Sequence, residues 1–385
     1  MSKTKGCNTM SKKAVLIGAG QIGRGFIGQV LCEAGYELTF VDASQALVDN
    51  INRYKQYKVI VMGAGEQEYL IDHIRACMPD TEQAVEALCE ASLVTTAVGP
   101  TALAKTATTI AAGIIRRMER GSEEPMTVIA CENMEFGSSK LFESVKEHLS
   151  AAQLDYCERY IGFPDAEVSR MVMPIEDENL LTVKVEQYKE WVVDSAKVRG
   201  DLLGIRGIEL SDNPTAYIKR KMFTLTGHAM LGYLGYRKGL RYIYEAAYDD
   251  EIFHTVFTAL TECGKGWCGE YNMPEENFNE YICIMMRRFA DTRMVDPCVR
   301  PCRQPMRKLS QGERFIEPAL TALKHGVEPV GIVAGIRAVL DYDYAEDEQA
   351  VELQRRIAAE GLPAVLEQVC GLRPGERLMQ MILNA

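Results

Sequence analysis

The sequence predicts an α/β fold: a parallel sheet in the first half, followed by a second half that is helical almost throughout. Three observations carry this. Short apolar runs alternate with helical spacing through most of the first half, as in a sheet built from crossover units. A glycine-rich turn, GAGQIG, closes the first of those runs. From about Tyr217 onward the spacing is that of helices, punctuated by Pro297, Pro301, Pro305 and Pro318.

In chain order, strands are expected at 14–18, 37–42, 57–63, 68–73, 92–98, 126–132 and 156–163. Helices are expected between them at 21–34, 44–54, 81–89, 101–119 and 138–150. YKVIVMG and EQEYLIDH read as an inserted hairpin, because GAGE supplies turn chemistry. LTVKVEQYKEWVVD, residues 181–194, alternates like one more strand. The boundary is placed near Ala196–Asp201, giving a dinucleotide-binding domain at 11–197 and a helical substrate domain at 198–385. Residues 1–10 lack an apolar core and end at a second methionine, Met10, so they are expected to be a disordered extension.

Composition narrows the function. The chain is 47% apolar and 25% charged, ordinary for a soluble globular protein. No apolar run reaches the roughly 18 residues that span a bilayer, so no membrane partner is expected. A formal net charge of −11 argues against nucleic acid as a partner. The twelve cysteines are scattered without a CxxC pair, and the five histidines lie far from zinc-finger spacing. They read as reduced, buried thiols of a cytoplasmic protein without a metal.

Four segments carry chemistry. In AVLIGAGQIGRG an apolar run opens into Gly18, Gly20 and Gly23, with Gln21, Ile22 and Arg24 completing the turn. Such a turn lets a backbone approach a pyrophosphate at a helix N-terminus. Asp42 ends the second run, 19 residues past Gly23, where a carboxylate accepts both ribose hydroxyls of NAD and repels the 2′-phosphate of NADP. This is the Rossmann-type pattern. In VTTAVGP the small residues around Thr96, Ala97 and Val98 leave room for the nicotinamide ribose. IACENM brings Glu132 and Asn133 off the sheet at the same edge, either as site residues or as a cap on the next helix.

The third segment, YIKRKMFTLTGHAMLGYLGY, reads as a helix on which Lys221 and His228, seven apart, share a face. A lysine near other cations in a cleft can act as a proton acceptor, and a solvated basic stripe with a core histidine is the alternative. The fourth, RPCRQPMRKLSQGER, sets Arg300, Arg303, Arg307, Lys308 and Arg314 against one acid, Glu313. Its cations suit phosphate or polyol oxygens, and salt bridges to the surplus carboxylates are the alternative.

Together GAGQIGRGFIG, LTFVDA, LVTTAVGP, IACENM, VEQYKEWVVD, KRKMFTLTGHA and RQPMRKLS resemble the polyol-specific long-chain dehydrogenase family across almost the whole chain. Members interconvert a ketose or its phosphate with the polyol, using NAD(P) and no metal. The resemblance implies Lys221 as general base or acid, Asn133 as donor to the developing alkoxide, and His228 as the group that positions or polarises the same oxygen. Substrate contacts are expected at Glu132 from its place at the sheet edge and at Arg303, Arg307 and Lys308 from the basic cluster, and the family register counted from Lys221 adds the Thr226 hydroxyl. Fructose 6-phosphate and mannitol 1-phosphate are the expected pair, on a monomer or small homo-oligomer. Other polyols, polyol phosphates or hexuronates, or a non-catalytic NAD-binding sensor, are the alternatives. Two departures stand out. The family pattern is Lys, four residues, Asn, two residues, His, whereas here Thr226 follows the four residues and His228 comes one position early. A local helix irregularity is expected to absorb the missing residue; with the register counted from TGHA instead, Arg220 would fall at the lysine position. In EVSRMVMP, Ser169 stands where the family usually has an acid.

Overall fold

The computed structural model describes residues 12–63, 65–173, 175 and 180–385, so the extension expected at 1–10 lies outside the described residues. The chain divides into two compact units, Met1–Ile218 and Lys219–Ala385.

The strands are β1 (Lys12–Ile17), β2 (Tyr36–Val41), β3 (Tyr57–Met62), β4 (Gln67–Ile71), β5 (Ile74–Cys77), β6 (Leu93–Thr96), β7 (Met126–Ala130), β8 (Ile161–Gly162), β9 (Ala166–Ser169), β10 (Val172–Met173), β11 (Val183–Glu186), β12 (Glu190–Asp194) and β13 (Glu209–Ser211). The main sheet has the order β5-β2-β1-β6-β7-β8 and is parallel throughout. Such a sheet must be covered on both faces, and β1 shows how. Ala14 and Leu16 enter one core with Phe26, Val30 and Phe40, while Val15 and Ile17 enter the other with Val94, Ile110 and Val128. The order reverses between β1 and β6, and a crevice for ligand opens at the carboxyl ends of such a pair.

Two small sheets accompany it. The expected hairpin forms as β3 and β4, joined by β11 and β10 in the order β10-β11-β3-β4. The run 181–194 is not one strand but two, because β12 belongs to a third sheet, β13-β12-β9. β13 therefore ties residues 209–211 to the first unit, and the division between units falls inside helix Pro214–Arg237, later than the expected 197/198 boundary.

Three other expectations change. β5, absent from the expected set, forms the sheet edge. Asn52 exchanges both amide hydrogen bonds with the Ala76 backbone there, 2.8 and 2.9 Å. The strand expected at 156–163 is mostly helix Ala151–Tyr160, opened by a capping box in which the Ser150 hydroxyl accepts from Gln153 N and the Gln153 side chain accepts from Ser150 N. Only Ile161–Gly162 is strand. The glycine-rich helix begins as a π turn, Gly23–Gly28, before helix Gln29–Glu33.

The second unit is helical among its described residues. Helix Asp250–Tyr271 packs against helices Glu275–Phe289, Ile316–Lys324 and Val330–Leu340. Small residues allow close packing, since a Cβ at Gly331 would lie 2.6 Å from Ala259 N. The buried Glu262 accepts from Gly331 N and Ile332 N at 2.9 and 3.0 Å, capping the first turn of Val330–Leu340 from another helix. Burial pushes its carboxyl up from the ordinary value. No helix among the described residues is long and apolar enough to cross a membrane.

Candidate active site

In the first unit the site is built on the turns after β1, β6 and β7. Gly18 takes φ +102°, and a Cβ there would lie 2.4 Å from the Ala97 carbonyl oxygen, so only glycine brings the two turns together. At Gly23 a Cβ would lie 2.1 Å from Gly18 O. At Gly20, by contrast, an added Cβ would meet nothing closer than 4.0 Å among the described residues. Open, amide-lined space at a helix start is what a pyrophosphate requires. Gln21 is exposed beside it, and Ile22 is half-buried against the core. Asp42 ends β2 with Oδ2 accepting from Ala19 N at 2.6 Å and Oδ1 from Ser44 N at 2.8 Å. Its carboxylate thus sits directly on the glycine turn.

Arg24 departs from its expected coenzyme-facing place. Its guanidinium is buried and donates to the carbonyls of Ala19, Leu181 (3.0 Å) and Leu180 (3.1 Å). These three acceptors lie outside the π turn; the turn's own carbonyls take side-chain donors as well, since widening the helix leaves carbonyls without their usual partners. Tyr57 OH donates to Arg24 O at 2.8 Å, and the buried Arg170 donates to Gly25 O at 3.0 Å and to Gln29 at 2.7 Å. Burial holds the Arg170 guanidinium down at about 10.

Glu132 also has another task. It is buried, and it accepts from the Thr96 hydroxyl (2.8 Å), Val98 N (2.9 Å) and Gly99 N (2.8 Å). Three donors commit this carboxylate to holding the 96–99 turn in shape. Asn133 is different: it is exposed, and its side chain makes no hydrogen bond among the described residues. The capping alternative does not hold, because helix Gly137–Lys146 has no side-chain cap at its first position. Asp165 instead accepts from Ser139 N at 2.9 Å.

In the second unit, helix Pro214–Arg237 runs without a break, so no irregularity absorbs the missing residue. Seven residues turn an α-helix by nearly two full turns, which keeps Lys221 and His228 on one face, both half-buried. Arg220 is buried with its guanidinium carbon 3.9 Å from the centroid of the Tyr281 ring, a cation–π contact. Thr226 is fully buried, and its hydroxyl donates to the backbone carbonyls of Met222 (3.2 Å) and Arg314. It braces the helix core rather than presenting a hydroxyl to substrate. His228 Nε2 lies 2.9 Å from Asp296 Oδ2, and its ring stacks on Phe289 with centroids 5.3 Å apart. Asp296 also accepts from Arg300, whose Nη2 is 2.5 Å from Oδ2. Arg300 and His228 hold the Asp296 carboxyl at about 2 against the opposing effect of burial.

The basic segment separates into distinct roles. Arg307 is exposed and already paired, with Glu313 at 2.6 Å and Gln304 at 2.8 Å. Arg303 is exposed, with no ion pair among the described residues. Lys308 is buried, and its ammonium makes no hydrogen bond among the described residues. Burial, reinforced by Arg314, pushes it down to about 7. Sequence reasoning assigned a readily lost proton to Lys221 and missed this one, although two arginines flanking a lysine between proline breaks were visible. Among the described residues the cysteines are all free thiols, mostly buried, and no group of three or more His, Cys, Asp or Glu is placed to hold a metal ion.

Residues 12–207 match the mannitol dehydrogenase Rossmann domain, and residues 213–385 match the mannitol dehydrogenase C-terminal domain. A mannitol-1-phosphate 5-dehydrogenase of Brevibacillus brevis is 40% identical over 371 residues, 96% of each chain. Among solved structures, a D-sorbitol dehydrogenase in substrate-free form superposes with TM-score 0.80 at 16% identity, covering 96% of this chain and 91% of the other. The mannitol 2-dehydrogenase of Pseudomonas fluorescens, in ternary complex with NAD and D-mannitol, gives TM-score 0.64 at 16% identity over 98% and 94% of the two chains. At that identity the two structures establish the fold.

Proposed function

The chain belongs to the mannitol dehydrogenase family, and from that premise we propose that it is an NAD-dependent dehydrogenase interconverting fructose 6-phosphate and mannitol 1-phosphate. The likeness to the Brevibacillus brevis enzyme over 96% of both chains carries the substrate assignment. The open space at Gly20 and the carboxylate of Asp42 on the same turn support the coenzyme.

Gly18, Gly20, Gln21, Ile22 and Gly23 would hold the pyrophosphate, Asp42 the adenosine ribose, and Thr96, Ala97 and Val98 the nicotinamide side. When bound, nicotinamide supplies the two-electron acceptor or donor. Asp42 disfavours a 2′-phosphate by charge. Glu132 serves as a positioning residue for the 96–99 turn. Asn133 has an unspent amide to donate to the reacting oxygen, and such a donor is worth about 3 kcal/mol of barrier. Lys221, as the amine, takes the hydroxyl proton in polyol oxidation and returns it in ketose reduction. His228 contacts a substrate oxygen. Arg303 holds the phosphate, while Arg307 is tied to Glu313 and contributes less, and Lys308 is buried behind them in the same segment.

An NADH oxidation assay with fructose 6-phosphate tests the reading. Turnover is expected with the phosphorylated ketose and at least tenfold less with free fructose. Bound NADH without turnover on fructose 6-phosphate would refute it.

A further inference from the structure

We propose that Asp296 is a positioning residue that fixes the tautomer of His228, leaving Nδ1 as a hydrogen-bond acceptor for a substrate hydroxyl. The proposal rests on the polyol-phosphate reading for the identity of that hydroxyl.

A carboxylate can only accept, so a neutral imidazole at 2.9 Å must place its hydrogen on Nε2. Nδ1 then carries a lone pair, and it has no hydrogen-bond partner among the described residues. The ring lies nearly parallel to Phe289, at 7° and 5.3 Å, and the Asp296 contact selects which of its edges faces the carboxylate. The carboxylate is fixed as well. Arg300 forks onto both its oxygens, and the Asp296 carbonyl accepts from Ile243 N at 2.9 Å. Tyr242 and Pro297 form a β-bridge beside it. Asp296 is ionised across the working range.

The consequence is chemical. An accepting nitrogen matches the O–H of a polyol and has no hydrogen to offer a ketone oxygen. His228 therefore recognises hydroxyls, and polarising the carbonyl is left to Asn133 and Lys221. Such a role is invisible from the KRKMFTLTGHA segment alone, since the acid lies 68 residues away.

The test is a ¹⁵N spectrum of histidine side chains in the full-length protein at alkaline pH, where imidazoles are uncharged. His228 is identified by His228→Gln. The expected pattern is a hydrogen on Nε2 and a bare Nδ1 in the wild type, turning towards the opposite tautomer in Asp296→Asn, whose amide can donate to Nε2. With mannitol 1-phosphate, Asp296→Asn is expected to lose about tenfold or more in kcat/KM, with NADH affinity unchanged and partial rescue by Asp296→Glu. A wild-type His228 carrying its hydrogen on Nδ1 overturns the proposal, as does a folded Asp296→Asn with an unchanged kcat/KM. If Asp296→Asn does not fold, the wild-type spectrum alone decides. The spectrum needs no substrate, so failure of the polyol-phosphate reading and failure of this one are told apart.

Discussion

Lys308 offers a stability measurement whose sign and size follow from its surroundings. It is 3% exposed, and burial with Arg314 lowers its ammonium from the ordinary 10.5 to about 7. The unfolded chain keeps the proton up to about pH 10.5, whereas the folded chain releases it near pH 7. Between those values the unfolded state binds more protons, so stability rises with pH. At roughly 1.36 kcal/mol per unit, the penalty below pH 7 is about 5 kcal/mol. At pH 9 the unfolded lysine still prefers its charge by about 1.5 units, leaving about 2 kcal/mol. From pH 6 to pH 9 this one side chain therefore adds about 3 kcal/mol to the unfolding free energy. Lys308→Met keeps the length and removes the titration. Urea unfolding at constant ionic strength, followed through Trp267 in a Trp191→Phe background, reports the second unit alone, because the chain has two tryptophans and each unit holds one. The wild-type midpoint should climb with pH relative to Lys308→Met. Parallel midpoints across the range would show that the ammonium is not desolvated as described.

Three further outcomes are expected. Lys221→Ala should lose about 10²–10⁴-fold in kcat while still quenching on NADH binding; turnover close to wild type would remove it from the mechanism. Asp42→Ala should raise NADPH use relative to NADH, measured as the ratio of kcat/KM values, and comparable wild-type efficiency with both coenzymes would contradict the charge argument. Glu132→Ala leaves two amides and a hydroxyl without their acceptor, so chemical denaturation should show a loss of about 1–3 kcal/mol in the first unit, with weaker NADH binding measured by titration. An Ala variant as stable as wild type would mean that the turn does not depend on this carboxylate.

The first unit's skeleton was legible because local signals agreed: GAGQIG closes β1, GAGE joins β3 to β4, and helices 45–54 and 82–90 lie where the spacing put them. Long-range partners were not. That Arg24 would turn inward depends on the backbone of residues 180 and 181, and on a π turn for which no spacing rule exists. Glu132 looked like a ligand because a carboxylate at a sheet edge and one holding an adjacent turn have the same sequence signature. Thr226 was read by its place in the Lys–His pattern, whereas Arg314, 88 residues on, decides what its hydroxyl does. The strand expected at 156–163 failed on local evidence that was available, since Ser150 and Gln153 announce a helix start. β5 was missed because its four residues sit between two polar turns.

The amide of Asn52 has a bearing on how this protein behaves in crowded solution. A terminal strand normally offers its outer row of donors and acceptors to any stray peptide of extended shape. β5 is only four residues long, and the outward-facing pair at Ala76 is saturated by a single side chain that imitates a neighbouring backbone. Self-association by strand addition is thereby discouraged at this margin by a neutral amide, alongside the exposed charge of Arg75 in the same strand. Replacing that asparagine with leucine would keep its bulk while uncovering the template.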